Sequence, residues 1–495
     1  MAPRSFLSLP YELRHMIYKY YFTTKEGYHS SPTSRKLTAA RGEPIDLALM
    51  YTCHFVAEET KEMPFLYNDI TFKTFYRQDL SAWLCRFDRL VEDWSGEAPR
   101  RSPRSSPPPD NRRYIDICPS DQAHSAHRAA IKFTLRLLCE TSDEQFIASV
   151  NETLVDGEYS GGARLSNFLD RCYEPWHLPS SLSEFDEMER WLGKGKRWSS
   201  KNSWVTSLRH GLQYRPLYRF SAASAAIGFL NALSVNKRSS LRNIIIHEDR
   251  ISAGYPDGHA IGLIPFCQEN GRLRIRHKFS MVRNLFERAY FSDSQVDDIE
   301  KPDDEVTAAV MFRLAGMNLY TIVGNCLAEA MYLPDAGMPD GSYTLLLDGE
   351  DAGDLCSAFF QQEVLGKEAR RLVLSRALKE EPNSVWAHEA YGLNLPLNAH
   401  SGALEHLVNK TSFFESNFDP GHFDNVDTLM AHYKQVGTER CIDELMFWGM
   451  EYDYEFKLFS DVPRWGRMLM ENFEWRKRPA YRPITHRRID ARGAM

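Results

Sequence analysis

Hydrophobic positions recur every three or four residues near the start of the chain, in FLSLPYELRHMIYKYYF (6–22). At that spacing Leu9, Leu13, Met16, Ile17, Tyr20 and Tyr21 share one side of a helix, with Arg14, His15 and Lys19 off it. Pro10 suits the first helical position, where its missing N–H costs nothing, and Glu12 suits a first turn that favours an anion. Residues 23–44 are polar and without period, and read as a long loop. In DLALMYTCHFVAEETKEMPFLYNDITFKTF (46–75), Leu49, Cys53, Val56, Thr60 and Met63 return to helical spacing, Pro64 should break the helix, and Asn68 suits a turn. Ile70 and Phe72 then alternate with polar residues, as in a strand.

Periodicity is lost in SGEAPRRSPRSSPPPDNRR (95–113), whose Pro, Ser and Arg cannot build a core and read as a linker. Ser102 and Ser106 each precede a proline there and are conceivable phosphorylation sites, although a plain solvated linker explains them. Beyond it, SAASAAIGFLNALSV (221–235) is apolar nearly all round and predicts a buried helix leading into a buried Ile244–Ile246 strand. GRLRIRHKF alternates as a strand with Leu273 and Ile275 inward and its arginines outward, as an exposed edge requires. SYTLLLDGEDAGD predicts a strand and a tight turn, then a helix to about Lys379. No 20–50-residue period is present, so a leucine-rich or other repeat array is not expected. The expected fold class is α+β: a helical module (1–94), the linker (95–120), a large mixed body (121–475) with a helix-rich C-terminal region, and a basic tail (476–495).

With these residues laid out, FLSLPYELRHMIY resembles the first helix of F-box-like domains, whose core is Leu-Pro-x-Glu-Leu/Ile. LMYTCHFVAEETKEMPFLYNDITF looks like the following part of fungal F-box-like proteins, and 221–249 with GLIPFCQENGRLRI is similar to the body of large proteins of filamentous fungi. The resemblance implies docking on the Skp-type adaptor of a cullin–RING ubiquitin ligase. Leu9, Pro10, Leu13 and Ile17 would form the apolar docking face, and Glu12 would match the acidic place in the motif. The chain departs from a compact three-helix F-box in the polar residues separating its first two helices. The competing expectation is that residues 6–75 pack against the protein's own body.

Charge adds one feature. Residues 190–247 hold eleven Lys and Arg and no acid, in a chain whose net charge is −7. Trp191, Trp198, Trp204, Tyr214 and Tyr218 interleave its first half, so Lys194, Lys196, Arg197 and Lys201 are candidate anion-binding residues for phosphate or nucleic acid. No named nucleic-acid motif accompanies them, and pairing with the acidic stretch 293–305 is the favoured reading. Arg476, Lys477, Arg478, Arg487 and Arg488 make a weak basic tail. The aromatic concentration at 445–475 is read as core before recognition surface.

For metal, Asp419, His422, Asp424 and Asp427 are the best cluster, but Asp-Pro-Gly is a turn signal and Asp424 or Asn425 suits a helix cap. DGEDAGD lacks the ligand spacing of a calcium loop. No nucleophile elbow, P-loop, dinucleotide fingerprint or HExxH helix occurs, so neither a catalytic residue nor a cofactor is assigned. Nine scattered cysteines without a CxxC pair read as reduced thiols. Absence of a long apolar run or secretory signal points to a cytoplasmic or nuclear protein away from membranes. The expected function is non-enzymatic interaction, with an F-box-like ligase subunit foremost and a nucleic-acid-associated regulator or an enzyme of unrecognised type behind it.

Overall fold

The computed structural model describes residues 5–31, 36–39, 42–94, 123–141, 144–145, 147–149, 174–179, 183–184, 205–206, 212–290, 317–380, 401–437, 440–441, 468 and 470–477. Within them helices pack on a seven-stranded sheet, an α+β arrangement. Twelve strands are present among the described residues: β1 (Tyr28–Ser30), β2 (Leu37–Thr38), β3 (Asp69–Lys73), β4 (Phe75–Tyr76), β5 (Val205–Thr206), β6 (Leu212–Pro216), β7 (Arg219–Phe220), β8 (Asn243–Glu248), β9 (Arg274–Ser280), β10 (Tyr343–Asp348), β11 (Phe414–Ser416) and β12 (Phe473–Lys477). The main sheet runs β11-β10-β9-β8-β3-β1-β2, beside a three-stranded sheet β12-β6-β5 and the pair β4-β7.

All neighbours in the main sheet are parallel except the terminal pair β1–β2. From β1 to β11 the order in space follows the order in the chain, so each crossover advances in one direction. Crossovers of one hand then fall on one face. Burial follows that rule. Ile70, Phe72, Ile244, Ile246, Ile275, Phe279, Leu345, Leu347 and Phe414 point into one core with the Ala222–Ala232 helix and the Met317–Met331 helix. The other face carries Thr71, Asn243, Arg274, Arg276 and Thr344. Strands thus stack in order as repeats do, but the β3–β8 crossover is several times longer than β8–β9, so no sequence period arises.

Several sequence expectations change here. The supposed loop 23–44 contributes β1 and β2. Together with β3 it gives three strands from the first 94 residues to the sheet shared with the body. β9 is no edge: it lies between β8 and β10, with Leu273 and Ile275 inward as expected. Pro64 starts rather than breaks a helix, sitting inside the short turn Met63–Leu66 after a helix confined to His54–Thr60. The buried helix at Ala222–Ala232, capped by Ser221, and the strand at Asn243–Glu248 form as read. The helical run from Gly353 to Glu380 includes one π-helical turn, Phe360–Leu365. The linker at 95–120 lies outside the described residues, as does the acidic stretch 293–305.

Candidate docking face on the N-terminal helix

The first helix, α1 (Tyr11–Phe22), begins one residue later than the sequence suggests, with Pro10 as its cap and its carbonyl accepting from Leu13 N and Arg14 N at 3.1 and 3.2 Å. It packs on α2 (His54–Thr60) and α3 (Met63–Leu66). The side it buries is Arg14, Tyr18 and Phe22, joined by Val56 and Met63 in a small core. Arg14 donates Nε to Glu59 Oε2 at 3.1 Å and Nη2 to Oε1 at 2.5 Å, while Tyr18 OH donates to Glu59 Oε2 at 2.9 Å. The bidentate guanidinium holds the Glu59 carboxyl below its ordinary range. Burial and the neighbouring carboxylate push the Tyr18 hydroxyl up to about 12. At the other end Asn68 donates to the carbonyls of Phe22 and Pro64 at 2.7 and 2.9 Å and accepts from Thr24 N at 2.8 Å. A residue read only as a turn former therefore pins the end of α1.

The apolar side of α1 faces solvent. Leu13 is 47% exposed, Met16 66%, Ile17 43% and Tyr20 88%. Pro10 and Glu12 are exposed and Leu9 is half-buried. The five residues singled out from the motif thus occur together on one helix and the turn before it, with four of them exposed. Arg14 Nη1 also donates to Leu7 O at 3.4 Å and to Leu9 O, fixing the approach to the helix. Its guanidinium lies 5.2 Å from the centre of the Phe55 ring, and Phe55 and Tyr51 add exposed apolar surface on the adjoining segment. The Arg14–Glu59 anchor was legible only as two oppositely charged residues on separate predicted helices. Nothing in their spacing said that they meet.

One nucleophile-like pair occurs elsewhere. Ser221 Oγ lies 2.7 Å from His259 Nδ1, and His259 Nε2 lies 2.6 Å from Gly254 O. The carbonyl can only accept, so Nε2 carries the proton and Ser221 donates to Nδ1. This resembles a serine activated by a base. However, Ser221 and His259 are buried, and Ser221 also caps its helix by accepting from Ser224 N. The helix N–H groups that could stabilise an oxyanion, Ala222 N and Ala223 N, already donate to Glu248 at 3.0 Å each. Burial takes His259 down to about 3, so it stays neutral. The pair secures a helix end in the core.

Glu248 points inward while His247 faces the other side, 3.5 Å from Glu350, so the His-Glu-Asp run does not converge. In the 419–427 cluster, Asp419 accepts from Gly421 N at 3.0 Å, Asp427 pairs with Arg376, and Asn425 caps the helix by accepting from Thr428 N at 3.1 Å. Among the described residues no group of three or more His, Cys, Asp or Glu is placed to hold a metal ion. No described helix is long and apolar enough to cross a membrane. Cys53, Cys139, Cys267, Cys326 and Cys356 are free thiols. Lys194, Lys196, Arg197 and Lys201 lie outside the described residues, as do most of the aromatic stretch 445–475 and the tail beyond Lys477. Within the basic segment, Arg215 pairs with Glu474, Arg219 with Asn472 and Arg238 with Glu269. No family model, no curated protein and no solved structure matches this chain.

Proposed function

We propose that this chain is a non-enzymatic interaction protein in which α1 docks an F-box-like module onto a Skp-type adaptor, while the body engages a separate target protein. Ubiquitin transfer would then be chemistry of the associated ligase, and this chain would position the target. One observation carries the reading: α1 is fastened through Arg14, Tyr18 and Phe22 and leaves Leu13, Met16 and Ile17 open. A helix meant only for self-packing would bury that side. Large apolar side chains on a rigid, already folded element suit a docking face, because little conformational entropy is lost on binding.

The test uses full-length protein and a fungal Skp-type adaptor in a direct binding titration, beside the Leu13→Asp, Ile17→Asp variant. Circular dichroism and thermal melting establish that the variant is folded. Wild type should bind, and two charges within the contact should weaken it by about tenfold or more. A folded wild type that does not bind the adaptor rejects the assignment, as does a folded variant that binds equally well.

A further inference from the structure

Parallel sheets are normally covered on both faces. Here the face opposite the core is mainly polar across β3, β8, β9 and β10, and β9, an interior strand, is its most basic. Arg274, Arg276 and Lys278 alternate along β9 on this side, while Ile275, His277 and Phe279 point into the core. Arg272 is exposed in the turn leading into the strand. We propose that this ridge binds an acidic peptide in extended conformation, laid along β9. The proposal does not rest on adaptor docking by α1.

Spacing is the first support. Alternate residues of a strand stand about 6.6 Å apart, and those of an extended peptide have the same repeat, so acids at alternate positions meet successive cations. Availability is the second. The Arg274 guanidinium donates to the carbonyls of Gly271 and Leu273, and that of Arg242 to the carbonyls of Ser239 and Leu241. Burial and the like charge of Arg272 both lower the pKa of Arg242. Strand pairing therefore holds cations close together without a carboxylate hydrogen-bonded to either guanidinium among the described residues. Arg276 does reach Glu415 at 2.8 Å and Lys278 reaches Asp348 at 4.0 Å. The first pair is half exposed on both sides and the second is long, so each exchanges readily for a better-placed carboxylate.

The surroundings select the class of partner. Ile245, half-buried, lies level with Arg276 and gives an aliphatic footing for a side chain between the acids. No Phe, Tyr or Trp stands on this face of β3, β8, β9 or β10, so bases have no stacking platform. Asp69, Asp348 and Glu415 flank the ridge and would repel a continuous phosphate backbone. A short acidic peptide with its charges at alternate positions fits the cations of β9 between those acids.

The experiment is fluorescence anisotropy with full-length protein and a labelled peptide of about twelve residues alternating Glu and Thr, long enough to span the ridge. A second peptide of equal composition gathers its glutamates in one block. Oligouridylate serves as competitor. The exposed pair Arg274→Gln, Arg276→Gln removes two cations without entering the core, and its melting temperature checks the fold. Wild type should bind the alternating peptide, more weakly as salt rises, with the block peptide and the variant each down by about fivefold or more. Equal binding by the folded variant overturns the proposal. So does oligouridylate that displaces the peptide and itself depends on Arg274 and Arg276, which would assign the ridge to nucleic acid. A folded chain lacking 293–305, with its seven acids, completes the set. Binding seen only after that deletion gives the ridge to the chain's own acidic segment, and binding in neither form rejects it.

Discussion

Two helices of nearly equal length dispose of their apolar residues in opposite ways. The Ala222–Ala232 helix is apolar almost all round and is enclosed, with Ala222, Ala223, Ala226 and Leu230 inaccessible to water. α1 has a one-sided apolar stripe and turns it outward, burying Arg14, Tyr18 and Phe22 instead. Periodicity therefore identifies a face, while the contacts available on the other side decide whether that face goes in or out. In α1 the decision falls to Glu59, which gives the guanidinium and the Tyr18 hydroxyl a partner away from water. The Ala222–Ala232 helix has polar help only at its ends, from Ser221 and Glu248 at the start and from Arg238, which donates to Leu230 O and Leu233 O, at the finish.

The strongest contrast comes from truncating one leucine on each helix. Leu230→Ala opens a cavity in the main core and should destabilise the protein by about 2–5 kcal/mol, read from denaturant unfolding. Leu13→Ala removes a side chain that is already half in water and should leave the midpoint nearly unmoved. Comparable losses at the two sites would mean that the outer face of α1 is covered in the folded chain.

Next in size is the anchor of α1. Glu59→Ala strands the guanidinium of Arg14 and the hydroxyl of Tyr18 in a site built for a carboxylate. Amide hydrogen exchange should then accelerate through Tyr11–Phe22 while β8 and β9 keep their protection. Unchanged exchange in α1 would show that Phe22 and the Asn68 clamp suffice, and that the polar anchor is secondary.

Legibility followed the same division. The Ala222–Ala232 helix, β8 and the alternation of β9 were readable because their pattern and destination coincide: apolar residues with nowhere to go but the core. The apolar stripe of α1 was equally readable, and its exposure was not, because exposure depended on Arg14 meeting Glu59 from another helix. β1 and β2 were missed because their three- and two-residue lengths carry no alternation and their order comes from pairing, β1 with β3 and β2 with β1. β9 was placed at an edge because outward arginines usually mark one. The arginines face water here because the described Ala222–Ala232 and Met317–Met331 helices pack on the other face of the sheet, a placement that only the strand order and the packing reveal.

Titration separates the body from the module more gently. Burial pushes Glu287 up to about 8, against the pull of Arg250, Arg283 and Arg219, and pushes Glu329 up to about 7. In the unfolded chain both are ordinary carboxyls near 4.5. The folded form therefore keeps protons that the unfolded form has released, so stability falls as pH rises from about 4.5 to 8. His259 acts oppositely: its depressed value makes stability rise with pH up to its ordinary value of 6.5. Between pH 6.5 and 8 the two carboxyls act without that opposition, and the melting temperature should decline. Glu287→Gln should flatten the decline. An equally steep fall in that variant would trace the pH dependence to another group.

The smallest effect on stability is also the most informative about α1. Leu13→Ala with Ile17→Ala should change the unfolding free energy by less than about 0.5 kcal/mol, because neither side chain belongs to the small core of Tyr18, Phe22, Val56 and Met63. Adaptor binding should nevertheless fall by about tenfold, since the pair lies at the centre of the exposed stripe. Both results together would separate what fastens α1 from what α1 presents. A stability loss near that of Leu230→Ala would return the stripe to the protein's own packing. Unchanged stability with unchanged binding would reject the stripe of α1 as a docking face.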